Sequence, residues 1–203
     1  GTVDEYTSLL RAAYCEIKKV DPKAKVIYGA TCLCPYFAEK VFENKGYHYF
    51  DILGVHHYNT PQNLEMLMNR ITYTHAQHLW EKFKTAKPIL NTEGSVYNYP
   101  DKTGKIIGAM PDPLFKRPGD LIKLYVLHAN RGIDKFCWFT PWGIFNFDRK
   151  ARKLTPKPPL VSYAVMTSIL EDSKYKGRFS LENPDIFVYA FEKKGKPILV
   201  AWH

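Results

Sequence analysis

Phe50-Asp51-Ile52-Leu53-Gly54-Val55-His56-His57-Tyr58 and Lys87-Pro88-Ile89-Leu90-Asn91-Thr92-Glu93-Gly94 are the two stretches that decide the fold. Each is a short apolar run bounded by breakers, the pattern of a buried strand. Each also closes on residues able to do chemistry: His56, His57 and Tyr58 in the first, Glu93 in the second. Between them Pro61 introduces a helical stretch reaching about Lys84, with Leu64, Leu67, Met68 and Ile71 on one stripe.

The same alternation continues outward on both sides. Thr2-Val3-Asp4-Glu5 has the form of a capping box, and Tyr6, Leu9, Leu10, Ala13, Tyr14 and Ile17 follow at helical spacing. Asp21-Pro22 stops that helix, and Lys25 to Ala30 reads as the first strand. Tyr36 to Lys45 is a second helix, ended by Gly46. Beyond Gly94, residues 95–118 are rich in Gly, Pro, Asn and Tyr, too long for a plain connector and suited to covering a site. Asp120 to Asn130 is then helical, Lys135 to Phe139 a strand, and Pro158 to Leu170 a last helix. Four strand–helix cycles result.

Connections of this length imply parallel strands joined by crossovers, in either an open doubly wound sheet or a barrel. No G-x-G-x-x-G or P-loop follows an early strand, which disfavours a nucleotide-binding open sheet. In barrels the chemistry gathers at the C-terminal ends of the strands. His56, Tyr58, Glu93, Trp138 and Trp142 would then meet on one rim. After the last helix the pattern changes: Arg178 to Leu181, Ile186 to Phe191 and Pro197 to Trp202 read as strands, with Lys194-Gly195 as a hairpin turn. The expected organisation is a barrel segment over 1–173 and the start of an antiparallel β-domain over 174–203.

Composition narrows the function classes. The 203 residues are 45% hydrophobic, an ordinary globular balance, and no run approaches the ~20 apolar residues of a membrane helix. The net charge of +9 is scattered: Lys18-Lys19, the run Arg149 to Lys153, and Lys193-Lys194 all lie beside turns, where charge is solvated. Neither a nucleic acid nor a membrane is therefore expected as a partner. Cys15, Cys32, Cys34 and Cys137 are too few and too irregular for a disulfide scaffold, and Cys32-Leu33-Cys34 lacks the C-x2-C spacing of a zinc site. Buried free thiols are the expectation, with no metal and no cofactor.

In order and spacing, residues 51–58, 87–94 and Phe136-Cys137-Trp138-Phe139 resemble strands six, seven and eight of the clan A glycoside hydrolases. Residues 6–14 through 21–26 resemble the helix-four and strand-five region of that clan, so the likeness covers nearly the whole chain. It implies the C-terminal half of a (β/α)8 TIM barrel, strands five to eight, followed by a small β-domain. It also implies a retaining glycosidase acting on an oligosaccharide or polysaccharide. Glu93 matches the nucleophile at the end of strand seven, His56 and Tyr58 match the strand-six position, and Trp138 matches the aromatic that floors the sugar subsite. Tyr97 and Trp142 are further candidate sugar contacts, because flat aromatics suit the apolar faces of sugar rings.

One departure is serious. The clan's acid/base glutamate usually follows an asparagine at the end of strand four, and no Asn-Glu pair occurs here. Retaining hydrolysis needs two carboxyl groups about 5–5.5 Å apart, of which Glu93 supplies one. The other, with the rest of the barrel, is expected upstream of Gly1, and the sequence assigns no compartment.

Other readings of these residues stay open. Glu93 alone would suit a structural ion pair. Strand alternation turns one of His56 and His57 inward and the other outward, so either could be structural. Each aromatic could belong to the core, and Asp148 reads as solvated. As a whole, the chain could also be a barrel remnant that binds carbohydrate without chemistry.

Overall fold

The computed structural model describes residues 1–29, 35–59, 74–96, 118–139 and 144–203. They fall into two compact units. One is drawn from the stretches Gly1–His57, Glu65–Gly94 and Ile133–Trp138, the other from Tyr58–Leu64, Ser95–Gly132 and Phe139–His203.

The first unit opens with α1 (Val3–Val20). The Thr2 hydroxyl accepts from the Glu5 N–H while the Glu5 carboxylate accepts from the Thr2 N–H, which completes the capping box. The apolar stripe of α1 is narrower than its spacing suggests: Leu10 is buried, but Leu9 is 68% exposed and Ile17 is also exposed. Next come β1 (Ile27–Tyr28), α2 (Pro35–Glu43), a 3-10 turn at Gly46–Tyr49, β2 (Ile52–Asn59), α3 (Thr74–Phe83), β3 (Ile89–Val96) and β4 (Ile133–Trp138). Residues 61–73 of the expected long helix lie outside the described residues; its C-terminal part is α3.

Strands β1 to β4 form one sheet whose order follows the chain, and β1 pairs parallel to β2 as β3 does to β4. A doubly wound sheet reverses its strand order at a switch point. None occurs among these four strands, in keeping with a barrel-type succession. Beneath the sheet lies an aromatic cluster: Phe42 meets Phe50 at 5.6 Å and Phe83 at 5.4 Å, and Tyr28 meets Phe50 at 5.3 Å and Tyr6 at 5.6 Å. Such ring pairs add to the large area these side chains withdraw from water.

Asp51 ties three elements of this unit together. Its carboxylate accepts from the Val26 N–H at 2.8 Å and from Lys18 Nζ at 2.9 Å. Burial opposes the charge, but the Val26 hydrogen bond and the Lys18 ammonium outweigh it and hold the carboxyl below the ordinary aspartate range.

The second unit contains α4 (Pro118–Asn130), a β5–β6 hairpin (Phe145–Asp148 and Lys153–Pro156), α5 (Pro158–Leu170) and an antiparallel sheet β7–β8–β9 (Lys174–Phe179, Phe187–Lys193, Lys196–Trp202). Leu121, Leu124, Val126 and Leu127 make α4 a buried helix. Its His128 Nδ1 donates to the Leu124 carbonyl at 2.6 Å, and Asn130 Oδ1 accepts from the Tyr175 hydroxyl at 2.6 Å. Helix α5 is apolar on all sides, so Val161, Val165 and Ile169 remain exposed. In β8, Tyr189 and Phe191 are buried, and Tyr189 stacks on Trp202 at 4.9 Å. The β8–β9 turn has positive φ at both Lys194 (51°) and Gly195 (76°), the geometry expected of that dipeptide.

The β5–β6 hairpin was not foreseen from the sequence. Asp148 Oδ1 accepts the N–H groups of Lys150 (2.9 Å) and Ala151 (3.0 Å), so the basic run Arg149–Lys153 is a turn and its edge. Cys15 and Cys137 are free but exposed, which corrects the expectation of buried thiols; Cys32 and Cys34 lie outside the described residues. Among the described residues no helix is long and apolar enough to cross a membrane.

Because the folded Asp51 carboxyl titrates below its unfolded value, its stabilisation is present above pH ~4 and lost as pH falls through the folded value. Asp51→Asn is expected to cost about 1–2 kcal/mol at pH 7. In chemical denaturation the deficit should shrink as pH falls below ~4; a deficit independent of pH would contradict the assigned role.

Candidate active site

The site grows from the second half of β3. Its register against β4 pairs Asn91 with Phe136 and Gly94 with Trp138, so three steps along β3 face two along β4. This is a bulge, and Thr92 and Glu93 form its crest. Strand alternation breaks accordingly: Asn91, Gly94 and Ser95 are buried, while Thr92 and Glu93 are half-buried. The Glu93 N–H donates to Asn91 Oδ1 at 3.2 Å.

Gly94 is required by a close approach. A Cβ there would stand 2.7 Å from Phe136 Cε2 and closer still to the His57 carbonyl oxygen on β2. The strands therefore meet backbone to backbone just beyond Glu93.

His56 and Glu93 occupy matching places, each the fifth residue of an eight-residue strand, on neighbouring strands of the sheet. His56 Nδ1 lies 3.7 Å from Glu93 Oε2, with the side chains 22% and 27% exposed. This is longer than a hydrogen bond, so the contact is electrostatic and attractive when the imidazole is protonated. Both groups stay accessible to water. His57, by contrast, is 1% exposed, so strand alternation turns His56 toward the carboxylate and His57 into the core.

The other candidates are distributed as follows. Trp138 ends β4 opposite Gly94, and its ring meets Phe136 edge-on at 6.4 Å. Tyr58 lies near the end of β2, its ring perpendicular to that of Phe139 at 6.0 Å. Tyr97 and Trp142 lie outside the described residues. Sequence reasoning passed over Asn91. A polar residue inside the apolar run Ile89-Leu90-Asn91 was the available signal, since a buried amide must find hydrogen-bond partners. Among the described residues, no group of three or more His, Cys, Asp or Glu side chains could hold a metal ion.

Solved structures share this arrangement of strands and helices. The α-L-arabinofuranosidase of Thermotoga maritima, in complex with arabinose, matches with a TM-score of 0.68 and 16% identity, over 94% of this chain and 45% of its own. The fold resembles that of the clan A glycoside hydrolases. A GH51 arabinofuranosidase from Xanthomonas axonopodis pv. citri matches at a TM-score of 0.68, with 10% identity, over 98% of this chain and 48% of its own. A GH30 endoxylanase from Clostridium papyrosolvens C71 matches at 0.58 with 13% identity, over 99% and 45%. These neighbours are (β/α)8-barrel glycosidases, and the chain spans just under half the length of each. No protein-family model and no curated protein sequence matches the chain.

Gly94→Ala should destabilise the sheet by about 2 kcal/mol or more, because the new methyl must displace backbone rather than a flexible side chain. Equilibrium urea unfolding would measure it, and a variant as stable as the parent would contradict the close approach described here.

Proposed function

We propose that the chain is the C-terminal half of the barrel of a retaining glycoside hydrolase, comprising strands five to eight, with Glu93 as nucleophile. The observation that carries this is the half-exposed Glu93 carboxylate, raised on a bulge beside His56 in a fold shared with barrel glycosidases. Bulges next to active sites commonly re-aim a side chain.

In the first step the Glu93 carboxylate forms a bond to the anomeric carbon as the bond to the departing oxygen breaks, leaving a glycosyl ester. Water then attacks the same carbon, giving its proton to the carboxylate that had protonated the departing oxygen; the ester bond breaks and the Glu93 carboxylate is regenerated with net retention. The proton for the leaving oxygen comes from a carboxyl group outside these 203 residues. Natural glycosides, whose leaving groups need that proton, are turned over weakly or not at all by this segment alone. His56, 3.7 Å from the carboxylate, is placed to hydrogen-bond a sugar hydroxyl. Trp138 offers a flat apolar face for a sugar ring. Tyr58, Tyr97 and Trp142 enter the proposal as sugar contacts on sequence grounds alone. The substrate is an oligosaccharide or polysaccharide. Arabinofuranosyl and xylosyl units come first to test, given the arabinofuranosidases and endoxylanase that share the fold.

Activated 2-deoxy-2-fluoro glycosides need little acid assistance and trap the nucleophile as a stable ester. Incubation of the chain with arabinofuranosyl, xylosyl and glucosyl members should place one sugar on the peptide containing Glu93, seen by mass spectrometry, and Glu93→Gln should abolish it. A folded chain that stays unlabelled by every probe, or is labelled on another residue, would sink the assignment.

A further inference from the structure

The nucleophile assignment leaves unexplained how a carboxylate on an irregular stretch of strand is held in one direction. We infer that Asn91 is the positioning residue for Glu93, an inference that rests on the nucleophile assignment just proposed.

Asn91 is 0% exposed, so its amide is fully withdrawn from water within an otherwise apolar run. A buried amide is costly unless its polar atoms are used. Here Oδ1 accepts the N–H of Glu93, two residues on, an Asx-type turn in the middle of a strand. Nδ2 lies against Gly94, where a Cβ would come within 3.1 Å of it. The one side chain thus folds back over the bulge, bonded to Glu93 on its crest and packed beside Gly94, which follows it. β3 and β4 fall out of step twice, between Ile89 and Leu90 and again between Asn91 and Gly94, so the ladder does not by itself dictate the orientation of Glu93. Asn91 supplies that missing constraint and directs the carboxylate toward His56, 3.7 Å away. A hydrophobic residue of the same size would fill the space and leave the bulge free to rotate.

The test compares Asn91→Leu, which keeps the volume and removes the acceptor, with Asn91→Asp, which keeps an acceptor oxygen. Two quantities are read in the full chain: the kinetics of Glu93 labelling by the 2-fluoro glycoside that labels the parent, and hydrogen exchange of the Glu93 amide without any ligand. Asn91→Leu should lower the limiting labelling rate by about 10²-fold with little change in the half-saturating probe concentration, and should speed Glu93 amide exchange, since misaimed reacting groups lose rate rather than binding. Asn91→Asp should stay within about tenfold of the parent in both, because the local hydrogen bond is retained. If Asn91→Leu fails to fold, Asn91→Ser replaces it, its shorter hydroxyl reaching the amide less well and giving an intermediate rate.

Equal labelling rates in all folded variants, or an Asn91→Asp as slow as Asn91→Leu, overturn the role of Asn91 and leave the nucleophile assignment standing. The expected order in amide exchange without labelling of Glu93 in any variant, parent included, overturns the nucleophile assignment instead, and the catalytic meaning of Asn91 with it.

Discussion

The close approach of β2 and β3, with the His57 carbonyl set against the α-carbon of Gly94, is the constraint on which the candidate site depends. Backbones come this near only where one side chain is absent. The approach brings the half-exposed residues just before it, His56 on one strand and Glu93 on the other, to within 3.7 Å. It also packs the Phe136 ring against Gly94, and places Trp138 opposite that glycine in the pairing of β3 with β4. A side chain at position 94 would separate the groups whose proximity is the chemical content of this unit.

The sheet interior is not purely apolar. His57 and Asn91 are buried on strands of the same sheet that buries Leu53, Ile89 and Phe136. Polar groups in such surroundings raise the cost of any misarrangement, because an amide that loses its partner pays its full desolvation. Apolar packing alone tolerates small shifts of register. The Asn91 hydrogen bond to the Glu93 N–H is local in sequence, yet it acts where pairing between strands is irregular. Specific polar bonding and irregular pairing occur together where the carboxylate stands.

The fold neighbours are arabinofuranosidases and an endoxylanase at 10–16% identity, so they establish architecture and leave chemistry to be argued from the site. Glu93, His56 and Trp138 stand on three adjacent strands, the arrangement on which the proposed covalent attack on a sugar rests. The proposal assigns the nucleophile to Glu93 and leaves protonation of the departing oxygen to a second carboxyl group.

The sequence by itself determined the kind and order of most elements. The capping box of α1, the α4 and α5 helices, the strands around Ile52, Ile89 and Phe136, and the positive-φ turn at Lys194-Gly195 all depend on near neighbours. Backbone propensity, caps and turn chemistry act over a few residues and are therefore legible. Glu93 and His56 were legible as candidates because each ends a buried run. Tertiary structure alone decided that they meet, that His57 turns inward, and that Asn91 folds back on Glu93, because these depend on register and a bulge set by residues distant in the chain. It likewise decided that Leu9, Ile17 and two cysteines face outward, since periodicity names a face but not what covers it. The exposed β5–β6 ribbon escaped for a related reason: with Phe147 and Leu154 both in water it buries no apolar face, and without one a strand leaves little trace in hydrophobic pattern.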